Sequence, residues 1–285
     1  MIRIALPNKG RLAELSRALL SEAGMPLTVA GDRSLRASVG TELEALFVRA
    51  ADIPEFVADG AADCGITGWD LVAESGRPLC SRLDLQFGEC ELVVAVRDES
   101  PVSDCESLPA GTRVATPFPR LTATHFERLG IAVEVVPVSG AAEVAPHLGI
   151  ADVVVDLTSS GSTLRTNGLR RLATVLESSA RLVIPMTPAP ERGTGLEELA
   201  GALESVVAAR GSRYVMANVP RAALGRIREV LPGLRGPTVV DVLNSGAHVA
   251  VHAVVPAPAI RRAIADLRAL GGEGILVTRI ERLMP

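Results

Sequence analysis

Short apolar strands alternate with amphipathic helices from the start of the chain to about residue 210, and that alternation restricts the fold to α/β units with mainly parallel sheets. The first unit shows the pattern. Ile2, Ile4 and Leu6 alternate as a strand, and Pro7-Asn8-Lys9-Gly10 turns the chain. Arg11 to Ala23 predicts a helix with Leu12, Leu15, Leu19 and Leu20 on one face and Gly24 as its stop. Further strands are predicted at 44–49, 63–67, 91–96, 113–116, 133–138, 153–155 and 181–185. Helices are predicted after residue 51, after Gly68, over 119–129, over 140–148, from about Ser162, and over 193–210. Asp52 is the expected N-cap of the helix after residue 51, with Pro54 in its first turn.

The last part of the chain changes rhythm. Strands over 213–219, 239–243, 248–255 and 275–280 enclose helices over 221–230 and 257–270. This β-α-β-β-α-β order is the ferredoxin-like plan. A domain boundary is expected near Gly211.

Composition narrows the class of function. Aromatic residues are only 2%, so the core is aliphatic, and the net charge of −4 argues against wholesale nucleic-acid binding. No uninterrupted apolar stretch suits a membrane span. Met1-Ile2-Arg3-Ile4 reads as a strand rather than a secretory signal. Cys64, Cys80, Cys90 and Cys105 have no CxxC spacing and read as reduced thiols of a cytoplasmic protein. Of 29 Lys plus Arg, Lys9 is the sole lysine. It falls where a compact ammonium suits an anion.

The richest stretch follows the strand at 153–155. That strand ends in Asp156, and Thr158-Ser159-Ser160-Gly161-Ser162-Thr163 follows Leu157. Small residues let backbone N–H groups crowd around a phosphate, and hydroxyls add donors. A strand-end carboxylate accepts from ribose hydroxyls. An ordinary turn with a Ser or Thr N-cap accounts for one hydroxyl. It does not account for five hydroxyl residues and a glycine after an acid. Asn8-Lys9-Gly10-Arg11, Arg49 and Gly65-Ile66-Thr67-Gly68-Trp69-Asp70 also lie at strand carboxyl ends, where open sheets bind ligands. Their plain readings are a solvated turn, a surface ion pair and a helix N-cap. Asp152 reads equally as a ligand contact or a structural pair. His248 and His252 share one face of a strand and read as sheet residues rather than metal ligands. There is no Ser-His-Asp or Cys-His pattern, no zinc spacing and no dinucleotide fingerprint.

The stretch from Glu143 through Gly149, Asp152, Asp156, Ser159-Ser160-Gly161 and Thr163-Leu164 resembles the signature of ATP phosphoribosyltransferase, the first enzyme of histidine biosynthesis. Pro7-Asn8-Lys9-Gly10-Arg11-Leu12, Gly65-Ile66-Thr67-Gly68-x-Asp70 and Ala115-Thr116-x-Phe118-Pro119 are also similar to that family. So are Tyr214-Val215-Met216 and Gly236-Pro237-Thr238. The resemblance covers essentially the whole chain. It implies a catalytic unit of two α/β lobes, like the type II periplasmic binding proteins, plus the C-terminal ferredoxin-like (ACT-like) regulatory domain of the long form. The implied organisation is lobe I over 1–90 and 180–210, lobe II over 91–179, and a histidine-sensing domain over 211–285.

The implied reaction is attack of N1 of ATP on C1 of phosphoribosyl pyrophosphate, with loss of pyrophosphate. The resemblance makes Asp156, Lys9 and Asp70 the catalytic group. Thr158, Ser159, Ser160, Gly161, Ser162 and Thr163 would hold the ribose 5-phosphate. Lys9, Arg11 and Arg49 would neutralise polyphosphate, with Asp70, Phe118, Asp152 and Asp156 as further substrate contacts. Mg2+ would ride on the pyrophosphate with few direct protein ligands. Asn218, Thr238 and Gly274 would line a site for histidine as inhibitor. Homodimers and homohexamers are implied, with no membrane or nucleic-acid partner. Two departures stand out. Phe118 occupies a position where the family often has tyrosine. Leu157 follows Asp156 where ordinary phosphoribosyltransferases carry a second acid. Rival readings are a solute-binding protein, a ligand-sensing regulator and a catalytically dead regulatory partner. Against them stand the absent signal peptide and DNA-binding helix pair, the intact loop and Lys9.

Overall fold

The computed structural model describes residues 1–29, 35–39, 43–243 and 246–284. The chain gathers into two compact units, Met1–Leu20 with Met25–Ala200, and Ser21–Gly24 with Gly201–Pro285.

The larger unit begins with β1 (Ile2–Pro7), α1 (Arg11–Glu22), β2 (Leu27–Val29), β3 (Arg36–Val39) and β4 (Leu43–Val48). Then come α2 (Ile53–Ala58), β5 (Cys64–Gly68), α3 (Trp69–Ser75) and β6 (Leu79–Asp84). The chain next crosses to a second sheet through β7 (Cys90–Arg97), β8 (Thr112–Thr116), α4 (Pro119–Leu129), β9 (Val133–Pro137), β10 (Val153–Thr158), α5 (Ser162–Thr166) and β11 (Leu169–Ser178). It returns through β12 (Ala180–Pro185) and runs into α6 (Gly193–Arg210).

The first sheet has the order β2-β3-β4-β1-β5-β12-β6 and the second β11-β7-β10-β8-β9. β1 is parallel to β4 and β5, whereas β12 is antiparallel to both its neighbours. β7 plays the matching role in the second sheet, antiparallel to β10 and β11. In each sheet the first strand that the chain forms on arriving from the other half is reversed, and in the first sheet β3 also runs antiparallel to both its neighbours. This is the two-lobed type II periplasmic-binding-protein plan.

Packing explains the glycines near the site. All five residues of β5 are buried. A Cβ on Gly65 would lie 2.4 Å from Ile53 Cγ2, so α2 can lie this close to β5 only across a glycine. The second sheet packs Leu92, Val94, Val96, Val114, Val153 and Val155 around Phe126 and Phe118. As composition requires, aliphatic side chains dominate that core.

The smaller unit contains β13 (Ser212–Pro220), α7 (Leu224–Val230), β14 (Thr238–Asp241), β15 (His248–Pro256), α8 (Ile260–Ala269) and β16 (Glu273–Arg279). The strand order β14-β15-β13-β16 is antiparallel throughout. This is the ferredoxin-like arrangement. Val215, Ala217 and Val219 of β13 join Val249, Val251 and Val255 of β15 against Ile227, Leu231, Ala263 and Leu267. The opposite face carries Tyr214, Met216, Asn218 and His252, half-buried or exposed, with the Tyr214 hydroxyl hydrogen-bonded to His252 Nδ1.

Several elements differ from the sequence reading. The helix expected over 140–148 is only a 3-10 turn at Ala142–Val144. Ala141 enters it in the left-handed region at φ 51°, and Pro146 lacks the amide a longer helix needs. Asp52 precedes α2, with Pro54 in the first turn as expected, but its side chain makes no capping bond. The β2–β3 hairpin, β6 and β11 are additions. β6 and β11 are edge strands, and both show register shifts against their single partners.

Phe126 is 1% exposed at the centre of the second-sheet core. Phe126→Ala should cost about 3–5 kcal/mol, read as a fall in the denaturant midpoint of the larger unit.

Candidate active site

The first sheet assembles a cationic rim. β1 and β4 run in parallel register with Pro7 opposite Val48, and the Asn8 amide donates to the Val48 carbonyl at 2.8 Å. This register sets Asn8 and Lys9 beside Arg49. Gly10, at φ 79°, makes the turn that starts α1 at Arg11. Arg77, Arg82, Arg113 and Arg181 are paired with carboxylates. Lys9, Arg11 and Arg49 are exposed, and no ion pair joins them to a carboxylate among the described residues. Cations gathered at neighbouring strand ends focus a positive potential that favours a polyanion.

Asp70, which the resemblance places among the substrate contacts, lies in a buried position. It is 5% exposed at the start of α3. Ser178 Oγ donates to Asp70 Oδ1 at 2.6 Å, and the Asp70 amide donates back to Ser178 Oγ at 2.9 Å. Burial pushes the Asp70 carboxyl up, while the Ser178 hydroxyl and the amides of Asp70 and Leu71 pull it down. Burial and the Asp70 charge push the nearby Cys90 thiol up to about 11. A Cβ on Gly68 would lie 2.3 Å from Asp70 Oδ1, so only glycine leaves room for the carboxylate. A cavity of about 470 Å³ opens beside this point, lined by Glu89, Glu91, Ser159, Glu177, Ser178 and Arg181 among others.

The second sheet supplies the hydroxyl loop. Asp156 is half-buried near the end of β10. Burial raises its pKa, the Leu157 amide at 2.7 Å from Oδ1 opposes this, and the Glu143 charge adds to the rise. No ion pair joins Asp156 to a cation among the described residues. Thr158 Oγ1 accepts from the Gly161 amide at 2.8 Å, which closes the turn. Gly161 is in the left-handed region at φ 68° and precedes α5. Ser160 Oγ and Ser162 Oγ lie 2.9 Å apart. Ser159, Ser160, Ser162 and Thr163 are all exposed. Part of the hydroxyl set thus holds the turn and the rest faces outward.

Two expected substrate contacts are placed elsewhere. Asp152 precedes β10, four residues from Asp156 and so roughly 13 Å away along the strand. The Arg113 Nη2 donates to its Oδ1 at 2.8 Å, and the Arg113 amide to its Oδ2 at 3.0 Å. That engagement holds the Asp152 carboxyl below the usual range. Phe118 is 5% exposed, its ring packed in the second-sheet core and its amide donating to Thr116 Oγ1 at 2.9 Å. Neither side chain is offered to a ligand beside the loop.

In the smaller unit, a Cβ on Gly274 would lie 3.5 Å from Asn218 Nδ2, so these two positions are neighbours. Thr238 opposes His252, which opposes Met216. It is therefore two strand spacings, roughly 10 Å, from β13. Glu143, Ser178 and Glu74 are the additions that residue-by-residue reading missed as site elements. Glu143 had a signal as the first acid of the family-like stretch. The other two had none, because their partners are remote in sequence.

Comparison with known proteins adds the following. The family model for ATP phosphoribosyltransferase (HisG) matches residues 49–205, and that for the HisG C-terminal domain matches residues 209–282. An ATP phosphoribosyltransferase of Gemmatimonas aurantiaca is 61% identical over 292 residues, covering 100% of each chain. One of Methanosarcina acetivorans is 46% identical over 291 residues, again covering 100% of each. Among solved structures, the ATP phosphoribosyl transferase (HisG:HisZ) complex from Thermotoga maritima superposes with a TM-score of 0.62 at 27% identity. It covers 72% of this chain and 99% of that one.

The raised pKa of Asp156 has a stability consequence. A native pKa above the unfolded value makes the ionised carboxylate costly in the fold. The cost is absent below the unfolded pKa, grows as pH rises, and is complete above the native pKa. Asp156→Asn should therefore raise the thermal midpoint at pH 7, and the gain should vanish in acid. A pH series of melting curves checks this.

Proposed function

The chain belongs to the ATP phosphoribosyltransferase family, in its long form, and from that premise we propose that it joins N1 of ATP to C1 of phosphoribosyl pyrophosphate. The products are phosphoribosyl-ATP and pyrophosphate, in the committed step of histidine biosynthesis. The observation that carries the reading is the Asp156–Thr163 segment. It combines a half-buried carboxylate lacking a cationic partner among the described residues with a turn whose remaining hydroxyls face outward.

In this reading the Thr158–Thr163 turn holds the ribose 5-phosphate and Asp156 accepts from the ribose hydroxyls. As N1 attacks and the bond from C1 to pyrophosphate breaks, positive charge develops on the ribose ring. A preorganised carboxylate nearby favours that charge, and holding both substrates supplies most of the remaining rate. Lys9, Arg11 and Arg49 lie where they can neutralise polyphosphate. Asp70 acts through Ser178, keeping the start of α3 in place rather than touching substrate.

The family requires a divalent metal, and we take it to be Mg2+. The donor set fits an ion carried on the substrate. Asp156 lies within the field of Glu143, and no group of three or more His, Cys, Asp or Glu is arranged to hold a metal ion among the described residues. Mg2+ characteristically uses one or two carboxylates plus substrate phosphates. Asp156 and Glu143 are the residues that would hold it, and when bound it would neutralise the leaving pyrophosphate.

The open face of the smaller unit's sheet is read as the histidine sensor. Asn218 with Gly274 forms one part, and Thr238 lies two strands away. We assign the enzyme to the cytoplasm and to dimers and hexamers of identical chains. No described helix is long and apolar enough to cross a membrane.

The protein mixed with ATP, phosphoribosyl pyrophosphate and Mg2+ should build the absorbance of phosphoribosyl-ATP, and histidine should suppress it. Folded protein that makes no product overturns the enzyme reading, and indifference to histidine overturns the sensor alone. Asp156→Asn should lower kcat by roughly a hundredfold while the fold survives. Wild-type turnover in that variant would remove Asp156 from the mechanism.

A further inference from the structure

Helix α3 belongs to the first sheet by chain connection, since β5 leads into it and β6 leads out. Val72 of α3 is buried in the first-sheet core, yet other groups of the helix bond to the second half. The Glu74 carboxylate reaches across and accepts the Arg120 amide on Oε1 and the Leu121 amide on Oε2, both at 2.9 Å. Those amides belong to the first turn of α4, where orphan N–H groups need a cap. The N-cap position of α4 is Phe118, whose ring has no acceptor and makes no capping bond. α4 therefore takes its cap from the other half of the unit.

Further contacts tie the start of α3 to the end of β11 and to the second sheet. The Trp69 amide donates to the Ser179 carbonyl at 3.0 Å, and Asp70 exchanges hydrogen bonds with Ser178. Leu71 packs against the second-sheet core. Arg120 crowds Gly76 at the end of α3, where a Cβ would lie 2.2 Å from the guanidinium carbon.

We propose that Glu74 is a positioning residue for the transfer reaction, fixing the angle between the halves that carry the cationic rim and the hydroxyl loop. The proposal rests on the functional reading above. The route is short at each end. On one side, β5 pairs with β1, and Thr67 Oγ1 donates to the Ala50 carbonyl at 2.8 Å, so α3 starts beside Lys9 and Arg49. On the other, α4 follows β8, which pairs with β10, so its first turn is tied to the strand that carries Asp156. Without the Glu74 cap, the two half-sites remain built but lose a fixed separation.

The test is Glu74→Ala in the full chain, read by kinetics and by amide hydrogen exchange. Turnover should fall roughly tenfold to a hundredfold. The KM for phosphoribosyl pyrophosphate, whose ribose-phosphate loop lies wholly in the second half, should change little. Exchange should speed up at Arg120 and Leu121 and also at Trp69 and Asp70, across the seam. Glu74→Gln keeps one acceptor oxygen and should fall between wild type and Ala. Asp104→Ala removes a local cap in the second half, where Asp104 accepts from the Ser107 amide at 2.9 Å. That control should leave turnover per folded molecule near wild type. The proposal is overturned by wild-type turnover in Glu74→Ala, by exchange changes confined to the first turn of α4, or by an equal loss in Asp104→Ala. If the wild type makes no product, the functional reading fails. Exchange at Trp69 and Asp70 still decides whether Glu74 couples the halves.

Discussion

A carboxylate cannot be taken out of water unless donors replace the water. Asp70 is taken out of water where the chain returns from one sheet to the other, so Ser178 has to stand beside it. Much of the larger unit follows from that pairing. It fixes the start of α3 against the end of β11. It demands glycine at residue 68, because a side chain there would occupy the place of Asp70 Oδ1. It also brings α3 close enough to the second sheet for Glu74 to cap α4.

The entry to β10 and its far half show two fates for a carboxylate. Asp152 is engaged by Arg113 and is easier to ionise than a free acid. Asp156, four residues on, is desolvated, feels Glu143, and is harder to ionise. The first arrangement lowers the energy of the fold, and the second leaves a charge partly unsatisfied until a ligand arrives. Lys9, Arg11 and Arg49 show the same contrast against the many arginines that have carboxylate partners. Strained electrostatics of this kind collect at functional sites.

The central strands were legible because burial on both faces gives continuous apolar runs, closed by turns such as Pro7-Asn8-Lys9-Gly10. The edge strands β6 and β11 were not. Each has one neighbour and a register shift, which breaks the period that sequence reading relies on. The hydroxyl loop was legible because its residues are contiguous. The role of Asp152 was not, since it depends on Arg113, 39 residues away. Phe118 looked like a ligand contact because its neighbours match the family, yet α4 turns its ring into the core. Glu74 gave no local signal at all, since its partners lie 46 and 47 residues along the chain.

The late return of β12 to the first sheet also sets the order in which this molecule can be made. β5 has its final neighbour only when Ala180–Pro185 has left the ribosome, after every strand of the second sheet. Until then a strand that is wholly buried in the finished fold waits at an open edge, the kind of surface that recruits other chains. The second sheet, by contrast, is contiguous from Cys90 to Ser178 and can close as soon as it is synthesised. The nascent chain should therefore complete its middle before its beginning. Chaperone demand should peak in the interval before β12 emerges.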